Sequence, residues 1–270
     1  PGTTRRSAHA RPPLPATWRT ELDELAPGEI PGGGLRLFGL RVVRMVDRVE
    51  ERDALWAELV RVHQRHRAVG VLLRGPVGCG KTRLAEWLCE RALELGGATV
   101  LRADHGEGGG APALARMVAS ALRVHGLGRR ALRSRVQAWL AARGVSDDWV
   151  AQDIVNLASL GAGHAQGEAP VDLRATVRRV LEILVRDRPV IVHLDDAAWS
   201  ATSIAFVSDL LEHVRRLPVM ALLTSRDEVL LRRPAIEQTL RSLGEDHGLV
   251  TIELPPLPVP HRIELGRNLL

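Results

Sequence analysis

The sequence predicts an α/β fold in which a parallel sheet is covered by helices on both faces. Short apolar runs of strand length alternate with longer stretches that repeat apolar residues at helical spacing. The first run leads through a glycine-rich turn directly into a helix, and a later run ends in two consecutive carboxylates. Strands that are buried on both faces read as continuous apolar runs, which is typical of parallel sheets.

Each element is predicted from its local pattern. Leu55, Leu59 and Val62 are spaced four and three residues apart, which predicts an amphipathic helix over 49–67. The same periodicity, with glycine or proline near several helix ends, predicts further helices; these span 82–95, 113–124, 130–142, 148–160, 171–185 and 203–216. The predicted strands span 68–73, 99–103, 190–194, 219–224 and 249–254. Several helices thus form an insertion between the second and third strands.

Residues 1–36 have the composition of a linker. They are rich in proline, glycine and arginine and run up to a glycine triplet that ends at residue 34. One short helix is expected within them, over 20–25. The chain begins without methionine and stops inside a helical pattern, so we expect it to be a piece of a longer polypeptide.

Composition narrows the class of protein. No apolar run approaches the roughly 18 residues that cross a bilayer, so no membrane partner is expected. Cys79 and Cys89 are the only two cysteines and form no disulfide framework, which favours a reducing cytoplasm. The net charge is +5, and residues 111–146 contain seven arginines and no acid. That stretch suits a polyanion only weakly, because arginine is abundant throughout the chain.

The glycine-rich turn reads Gly-Pro-Val-Gly-Cys-Gly-Lys-Thr and matches G-x-x-x-x-G-K-[ST] at Gly75, Gly80, Lys81 and Thr82. Its setting between a strand and a helix is the one in which this pattern binds phosphate. Glycines let backbone N–H groups turn inward around phosphate oxygens, and the helix N-terminus adds its positive end. In this chemistry Lys81 reaches the β and γ phosphates of a nucleotide, and Thr82 offers its hydroxyl to Mg²⁺.

Lys81 is the only lysine among 37 lysines and arginines. A compact ammonium fits inside such a loop where a planar guanidinium does not, so we predict that Lys81 is catalytic. Cys79 could be a reactive thiol near a helix N-terminus or a small residue that contributes only its backbone, and we favour the second. The predicted nucleotide-binding residues of this loop are Gly75, Pro76, Val77, Gly78, Cys79, Gly80, Lys81, Thr82 and Arg83.

The stretch PVIVHLDDAAW, residues 189–199, is an apolar strand that ends in Asp195 and Asp196. Ligands bind at the carboxyl ends of parallel strands, so both acids are expected beside the phosphate loop. Asp195 would hold Mg²⁺ through water, and Asp196 would polarise the water that attacks the γ phosphate. The alternative is a pair of acids that caps a strand end. His193 is expected to be a core residue with a hydrogen-bonded ring rather than a catalytic base.

The fourth strand ends in Thr224, Ser225 and Arg226. An arginine at this position can touch the γ phosphate and report its hydrolysis, so we predict that Arg226 is catalytic. The alternative is a surface arginine that follows a strand.

Together these stretches resemble the AAA-like ATPase modules of STAND-class signalling proteins and of bacterial regulators that share them. The resemblance covers about residues 42–257 and rests on MVDRVEERDAL, GPVGCGKTRLAEWL, VIVHLDDAAW and ALLTSRDE. In the family, a valine-glycine-arginine-x-x-glutamate start lines the adenine pocket. Val46, Arg48 and Glu51 match it, and Asp47 replaces the glycine, so the resemblance implies that Arg48 binds the nucleotide. The Ala-Asp that the family usually has after Trp199 is replaced here by Ser200-Ala201.

The resemblance implies a three-layer P-loop NTPase with a five-stranded parallel sheet in the order 5-1-4-3-2. It divides the chain into the linker 1–36, an ATPase domain 37–255 and the start of a truncated helical lid, 256–270. It further implies ATP or ADP with Mg²⁺ as cofactors and a slow regulatory ATPase. Its partners would be other domains of the same chain, an N-terminal effector such as a Ser/Thr kinase or DNA-binding domain and C-terminal helical repeats, with oligomerisation that depends on nucleotide.

Two other functions stay open at this point. One is a DNA-associated ATPase that resembles origin initiators and uses residues 111–146 on phosphates. That stretch contains one aromatic residue, Trp139, and no DNA-reading motif, so a solvated or intrachain docking surface is favoured. The other is a nucleotide-dependent scaffold that does not hydrolyse ATP. A GTPase is not expected, because guanine selection uses Asn-Lys-x-Asp and no second lysine exists.

Overall fold

The computed structural model describes residues 14–20, 45–106, 112–164, 172–214 and 216–269. The strands are β1 (Val69–Gly75), β2 (Thr99–Asp104), β3 (Val190–Asp195), β4 (Val219–Arg226) and β5 (Val250–Glu253). The helices are α1 (Val49–Arg65), α2 (Lys81–Glu94), α3 (Ala113–Ala121), α4 (Arg129–Ala141), α5 (Asp148–Gly161), α6 (Leu173–Leu184), α7 (Ala201–Glu212), α8 (Asp227–Leu231), α9 (Pro234–His247) and α10 (Val259–Leu269).

The five strands form one sheet in the order β2-β3-β4-β1-β5, and every neighbouring pair is parallel. This is the predicted order 5-1-4-3-2 written from the other edge, so the predicted sheet is confirmed. The register places Gly75 opposite Arg226 and Asp104 opposite Asp195. The carboxyl ends of β1, β3 and β4 therefore reach the same edge of the sheet.

The sheet is buried on both faces because alternate residues of its apolar strands pack in opposite directions. On one face, α1 and α2 pack against residues such as Leu73 and Leu222. On the other face, Leu72 and Leu223 belong to one buried cluster with residues of α3–α7 and α9. This gives the three predicted layers, with α3–α6 as the insertion between β2 and β3.

The structure adds elements that the sequence patterns did not predict. Helices α8 and α9 follow β4, and a short 3₁₀ helix spans Ala197–Trp199. The signals for α9 were present: a proline at its first turn, a left-handed Gly248 at its end, and buried apolar residues three and four apart. Helix α7 begins earlier than predicted because the Ser200 side chain accepts a hydrogen bond from the backbone of Ser203.

Residues 14–20, inside the predicted linker, pack against α1 and α2; we call them the N-terminal strap. Trp18 lies edge-on to Trp87 with ring centroids 5.2 Å apart, and its indole donates to Asp53 at 2.7 Å. Arg19 binds both oxygens of Asp53 at 2.8 and 2.9 Å, and the guanidinium of Arg52 lies 4.5 Å from the Trp18 ring. The strap thus covers a surface formed by the first two helices.

Other parts of the predicted linker, including most of the short helix expected over 20–25, lie outside the described residues. Among the described helices, none is both long enough and apolar enough to cross a membrane.

We expect Trp18→Ala to lower the free energy of unfolding by about 2 kcal/mol, because it removes an aromatic contact and a cation–π partner from a half-buried site. Chemical denaturation monitored by circular dichroism would measure this change. Leu231→Ala removes an exposed apolar side chain and should change stability by less than about 0.5 kcal/mol. Equal stability of the two variants would show that the strap does not support the fold.

Candidate nucleotide-binding site

The phosphate loop, residues 75–83, joins β1 to α2 at the carboxyl edge of the sheet. Gly75 must be glycine, because its φ is 152° and an added Cβ would lie 2.3 Å from the carbonyl oxygen of Leu254. Gly80 caps α2 with a φ of 95°, which a side chain rarely adopts. Apart from the adjoining residues, no atom of the described part of the chain lies within 4 Å of a Cβ added at Gly78 or Gly80. The loop therefore combines the backbone freedom and open space that a phosphate cradle requires.

Lys81 lies inside the loop and is almost fully buried. Its ammonium donates to the carbonyl oxygens of Gly75 and Pro76 at 2.9 and 2.7 Å, and the Cys79 sulfur lies at 3.5 Å. A buried cation needs such acceptors, and the loop backbone supplies them. The cation is thus held beside the N-terminus of α2, where phosphate oxygens would lie.

Asp195, at the end of β3, joins the loop to the neighbouring strand. Its Oδ1 accepts hydrogen bonds from the hydroxyls of Thr82 at 2.9 Å and Thr224 at 2.6 Å. The Thr224 oxygen also accepts from the backbone N–H of Asp196 at 2.9 Å. The two predicted metal-binding residues, Thr82 and Asp195, are therefore in direct contact, and one threonine hydroxyl positions both acids.

Asp196 and Arg226 bind each other. The Arg226 guanidinium donates to both carboxylate oxygens of Asp196, at 3.2 and 2.7 Å. The backbone of Asp196 is left-handed, with a φ of 48°, and turns its side chain out of the β3 direction toward the end of β4. The predicted catalytic acid and the predicted reporter of hydrolysis thus form one ion pair at the edge of the sheet.

Arg48 is buried behind the loop. Its guanidinium donates to the carbonyl oxygens of Cys79, at 3.2 Å, and of Pro255, and it pairs with Glu51 at 2.8 Å. These contacts join the start of α1, the phosphate loop and the segment after β5. Asp47 and Arg48 both have left-handed backbones, which explains why a glycine suits the position of Asp47. Contact between Arg48 and a base stays a prediction.

The remaining loop residues lie where the motif predicts. Val77 is exposed at the tip of the loop, Cys79 is buried against Gly75, and Arg83 pairs with Glu90 along α2 at 3.3 Å. The buried position of Cys79 agrees with the favoured interpretation of a small residue. Cys89 lies on the buried face of α2, and burial raises its pKa to about 12, so it is an inert thiol.

Two histidines lie next to Asp195. His105 has one ring nitrogen 2.7 Å from the Asp195 carbonyl oxygen and the other 2.8 Å from the Ser203 hydroxyl, and burial lowers its pKa. A neutral ring that donates to the carbonyl and accepts from the hydroxyl satisfies both contacts. His193 is fully buried, and burial lowers its pKa too. Within the described residues neither of its ring nitrogens is hydrogen-bonded, contrary to the expected satisfied ring.

Sequence analysis assigned no role to Thr224 or Glu228. The contacts of Thr224 depend on the pairing of β3 with β4, which no local pattern reveals. Glu228 stands in the first turn of α8, and its carboxylate lies 3.5 Å from the backbone nitrogen of Val77. The pairing of β1 with β4 is the feature that indicates this proximity, because Val77 and Glu228 each lie two residues beyond the paired residues Gly75 and Arg226.

The donors present suit Mg²⁺. Thr82 and Asp195 offer a hydroxyl and a carboxylate, which are hard oxygen ligands, at one point of the site. No cluster of three or more histidine, cysteine or acidic side chains forms a metal cage in the described part of the chain. Mg²⁺ is usually bound by one or two protein oxygens together with phosphates and waters, and this arrangement can provide that number.

The parallel sheet and the phosphate loop together define a P-loop nucleotide-binding domain. The sequence matches the family described as AAA ATPase domain over residues 44–223, and the chain belongs to that family. The predicted membership among AAA ATPases is therefore confirmed. No curated protein matches the sequence.

One solved structure to which the chain is similar is a bacterial conjugative coupling protein, TrwBdeltaN70, in its unbound monoclinic form. The two are 12% identical, the match covers 64% of this chain and 67% of that one, and the TM-score is 0.27. A likeness of this size supports no argument about the present chain, whose fold is defined by its own strand pairing.

We expect Thr224→Val to destabilise the protein by about 1–3 kcal/mol, because it removes the buried hydroxyl that binds Asp195 and leaves the partly buried N–H of Asp196 without its acceptor. Thr251→Val makes the same change at an exposed position of β5 and should leave stability nearly unchanged. Thermal and chemical denaturation of both variants would measure the difference. If Thr224→Val were as stable as Thr251→Val, the hydroxyl would not hold the acids in place.

Proposed function

We propose that the chain is an ATP-binding, slowly hydrolysing switch module of a larger regulatory protein of the STAND class. One observation carries the proposal: Lys81, the contact between Thr82 and Asp195, and the ion pair between Asp196 and Arg226 lie together at one edge of the sheet. These are the groups that bind a nucleotide's phosphates, hold its metal ion and respond to its terminal phosphate.

Binding would draw on contacts that the loop already makes. The backbone N–H groups at the start of α2 would donate to phosphate oxygens. Lys81 would exchange the carbonyl oxygens of Gly75 and Pro76 for the β and γ phosphates, while Arg48 holds the Cys79 carbonyl from behind. Thr82 and Asp195 would hold Mg²⁺, directly and through water. Bound there, Mg²⁺ neutralises phosphate charge.

Hydrolysis requires Asp196 to face the attacking water. The Arg226 ion pair takes up both oxygens of Asp196 and competes with a water for them. The pair is partly exposed, with 36% of the Arg226 side chain and 26% of the Asp196 side chain accessible, so it contributes only about 0–1 kcal/mol. A terminal phosphate near Arg226 can therefore draw the guanidinium away and leave Asp196 to polarise the water. Dependence on this exchange supports a slow, regulated turnover.

The chain after β5 supports a switch that extends beyond the sheet. Pro255 accepts a hydrogen bond from Arg48, and His261 in α10 lies 3.0 Å from a carboxylate oxygen of Asp47. The proposed start of the lid, 256–270, thus touches the residues that precede α1. We further propose that residues 1–36 connect the ATPase domain 37–255 to an N-terminal effector. C-terminal helical repeats would follow the lid, and nucleotide state would control assembly.

DNA is a possible partner that we do not favour. Arg130, Arg133 and Arg135 are exposed on α4, but at 100° per residue Arg130 and Arg135 project about 140° apart. Arginines spread around a helix suit a solvated or docking surface better than a groove-reading face.

We expect Lys81→Ala to weaken binding of ATP and ADP in the presence of Mg²⁺ by at least about tenfold, because the phosphates lose a cation that lies within the loop. Isothermal titration calorimetry would measure the affinities. Arg130→Ala, which also removes one positive charge, should bind like the parent chain. Unchanged affinity of Lys81→Ala would overturn the assignment of this site.

We expect Asp196→Asn to keep ATP binding and to lose most turnover, by about 100-fold or more, because the attacking water needs that carboxylate whereas the bound phosphates do not. Asp195→Asn should instead weaken the Mg²⁺-dependent part of binding. Calorimetry and release of inorganic phosphate would separate the two effects. Equal turnover in Asp196→Asn and a hydrolysing parent would show that Asp196 is structural, and a parent that binds ATP without turnover would favour the scaffold.

A further inference from the structure

Glu228 places a negative charge next to the phosphate loop. The pairing of β1 with β4 brings the start of α8 beside the tip of the loop, and the Glu228 carboxylate lies 3.5 Å from the backbone nitrogen of Val77. That nitrogen belongs to the phosphate loop, whose backbone N–H groups would donate to a bound phosphate. The carboxylate thus stands where it competes with a phosphate for the same N–H group.

The charge of Glu228 persists at neutral pH. The hydrogen bond from its own backbone N–H is the main cause that lowers the pKa of the carboxyl, and the Val77 N–H and the charges of Lys81 and Arg226 lower it further. The side chain is exposed, so it can move within the first turn of α8 without disturbing the core. Glu228 therefore remains an anion, and Lys81 and Arg226 are close enough to act on its charge.

The Glu228 charge affects a bound nucleoside diphosphate and a bound triphosphate to different extents. The N-terminus of α2 receives the inner phosphates, whereas the third phosphate extends toward Arg226 and Asp196, next to which α8 begins. An added phosphate brings at least one further negative charge close to the carboxylate. The negative charges of the third phosphate and of the Glu228 carboxylate repel each other. This repulsion acts mainly on the triphosphate, because the diphosphate lacks that phosphate.

Building on the proposed function, we infer that Glu228 is a specificity-determining residue that weakens binding of the nucleoside triphosphate relative to the diphosphate. The residue biases the site toward the diphosphate state, and displacement of α8 from the loop relieves the repulsion.

The test compares two ligands on each variant of the 270-residue chain. Calorimetry would measure the Kd of a non-hydrolysable ATP analogue and of ADP, both with Mg²⁺. For Glu228→Gln we expect the analogue to bind about fivefold to tenfold more tightly, as for unit charges roughly 7 Å apart at an effective dielectric constant of about 40. ADP should change by less than about twofold, so the preference between the two ligands shifts.

Two further variants separate charge from structure. Glu228→Asp keeps the charge and should retain the parent's preference for ADP, whereas Glu245→Gln removes one acid from α9 and should change neither affinity. Circular dichroism would check that each variant is folded. Equal tightening of both ligands in Glu228→Gln, or weaker binding of the analogue, would overturn this inference and leave the nucleotide site intact. Absence of any nucleotide binding to the parent would overturn the proposed function and this inference together.

Discussion

The parallel pairing of β1 with β4, and of β4 with β3, is the constraint on which the rest of the site depends. Parallel strands present their carboxyl ends at one edge, so the phosphate loop, Asp195 and Arg226 meet there although they are far apart in sequence. Thr224 connects the end of β4 to the end of β3, because its hydroxyl donates to Asp195 and accepts from the backbone N–H of Asp196. A shift of one residue between β3 and β4 would turn that hydroxyl to the opposite face of the sheet and separate the acids.

The groups that would bind a nucleotide are paired with one another within the protein. Lys81 is bound by loop carbonyls, Arg226 by Asp196, and the Thr82 hydroxyl by Asp195. A buried cation without acceptors would be costly, so these pairs stabilise the site in the absence of ligand. A ligand would have to replace these internal contacts. The contacts of the buried Lys81 would be the hardest to replace, and the partly exposed pair of Arg226 and Asp196 the easiest.

Segments outside the sheet converge on the helices that flank the loop. The N-terminal strap packs Trp18 against α1 and α2, while Arg48 joins the loop to the Pro255 carbonyl after β5. Helix α2 begins within the phosphate loop, so the strap packs against the same helix that carries Lys81. These contacts connect the helices beside the loop to the segments before α1 and after β5.

The sequence by itself determined the sheet-forming runs, the phosphate loop and the identity of its cation. Those depend on local chemistry: apolar strands bury on both faces, glycines permit the loop, and the lone Lys81 fits where arginine does not. It also indicated Asp195 and Asp196, because two carboxylates at the end of an apolar strand, in a chain that contains a phosphate loop, favour a role at the nucleotide site. Only the tertiary structure decided that Asp196 is bound by Arg226 and that Arg48 contacts the loop from behind. It also showed that the predicted linker contains a packed strap and that the Glu228 carboxylate lies next to the Val77 nitrogen. Each of these joins residues on separate elements, and strand register and helix packing, rather than neighbours in sequence, set the distances between them.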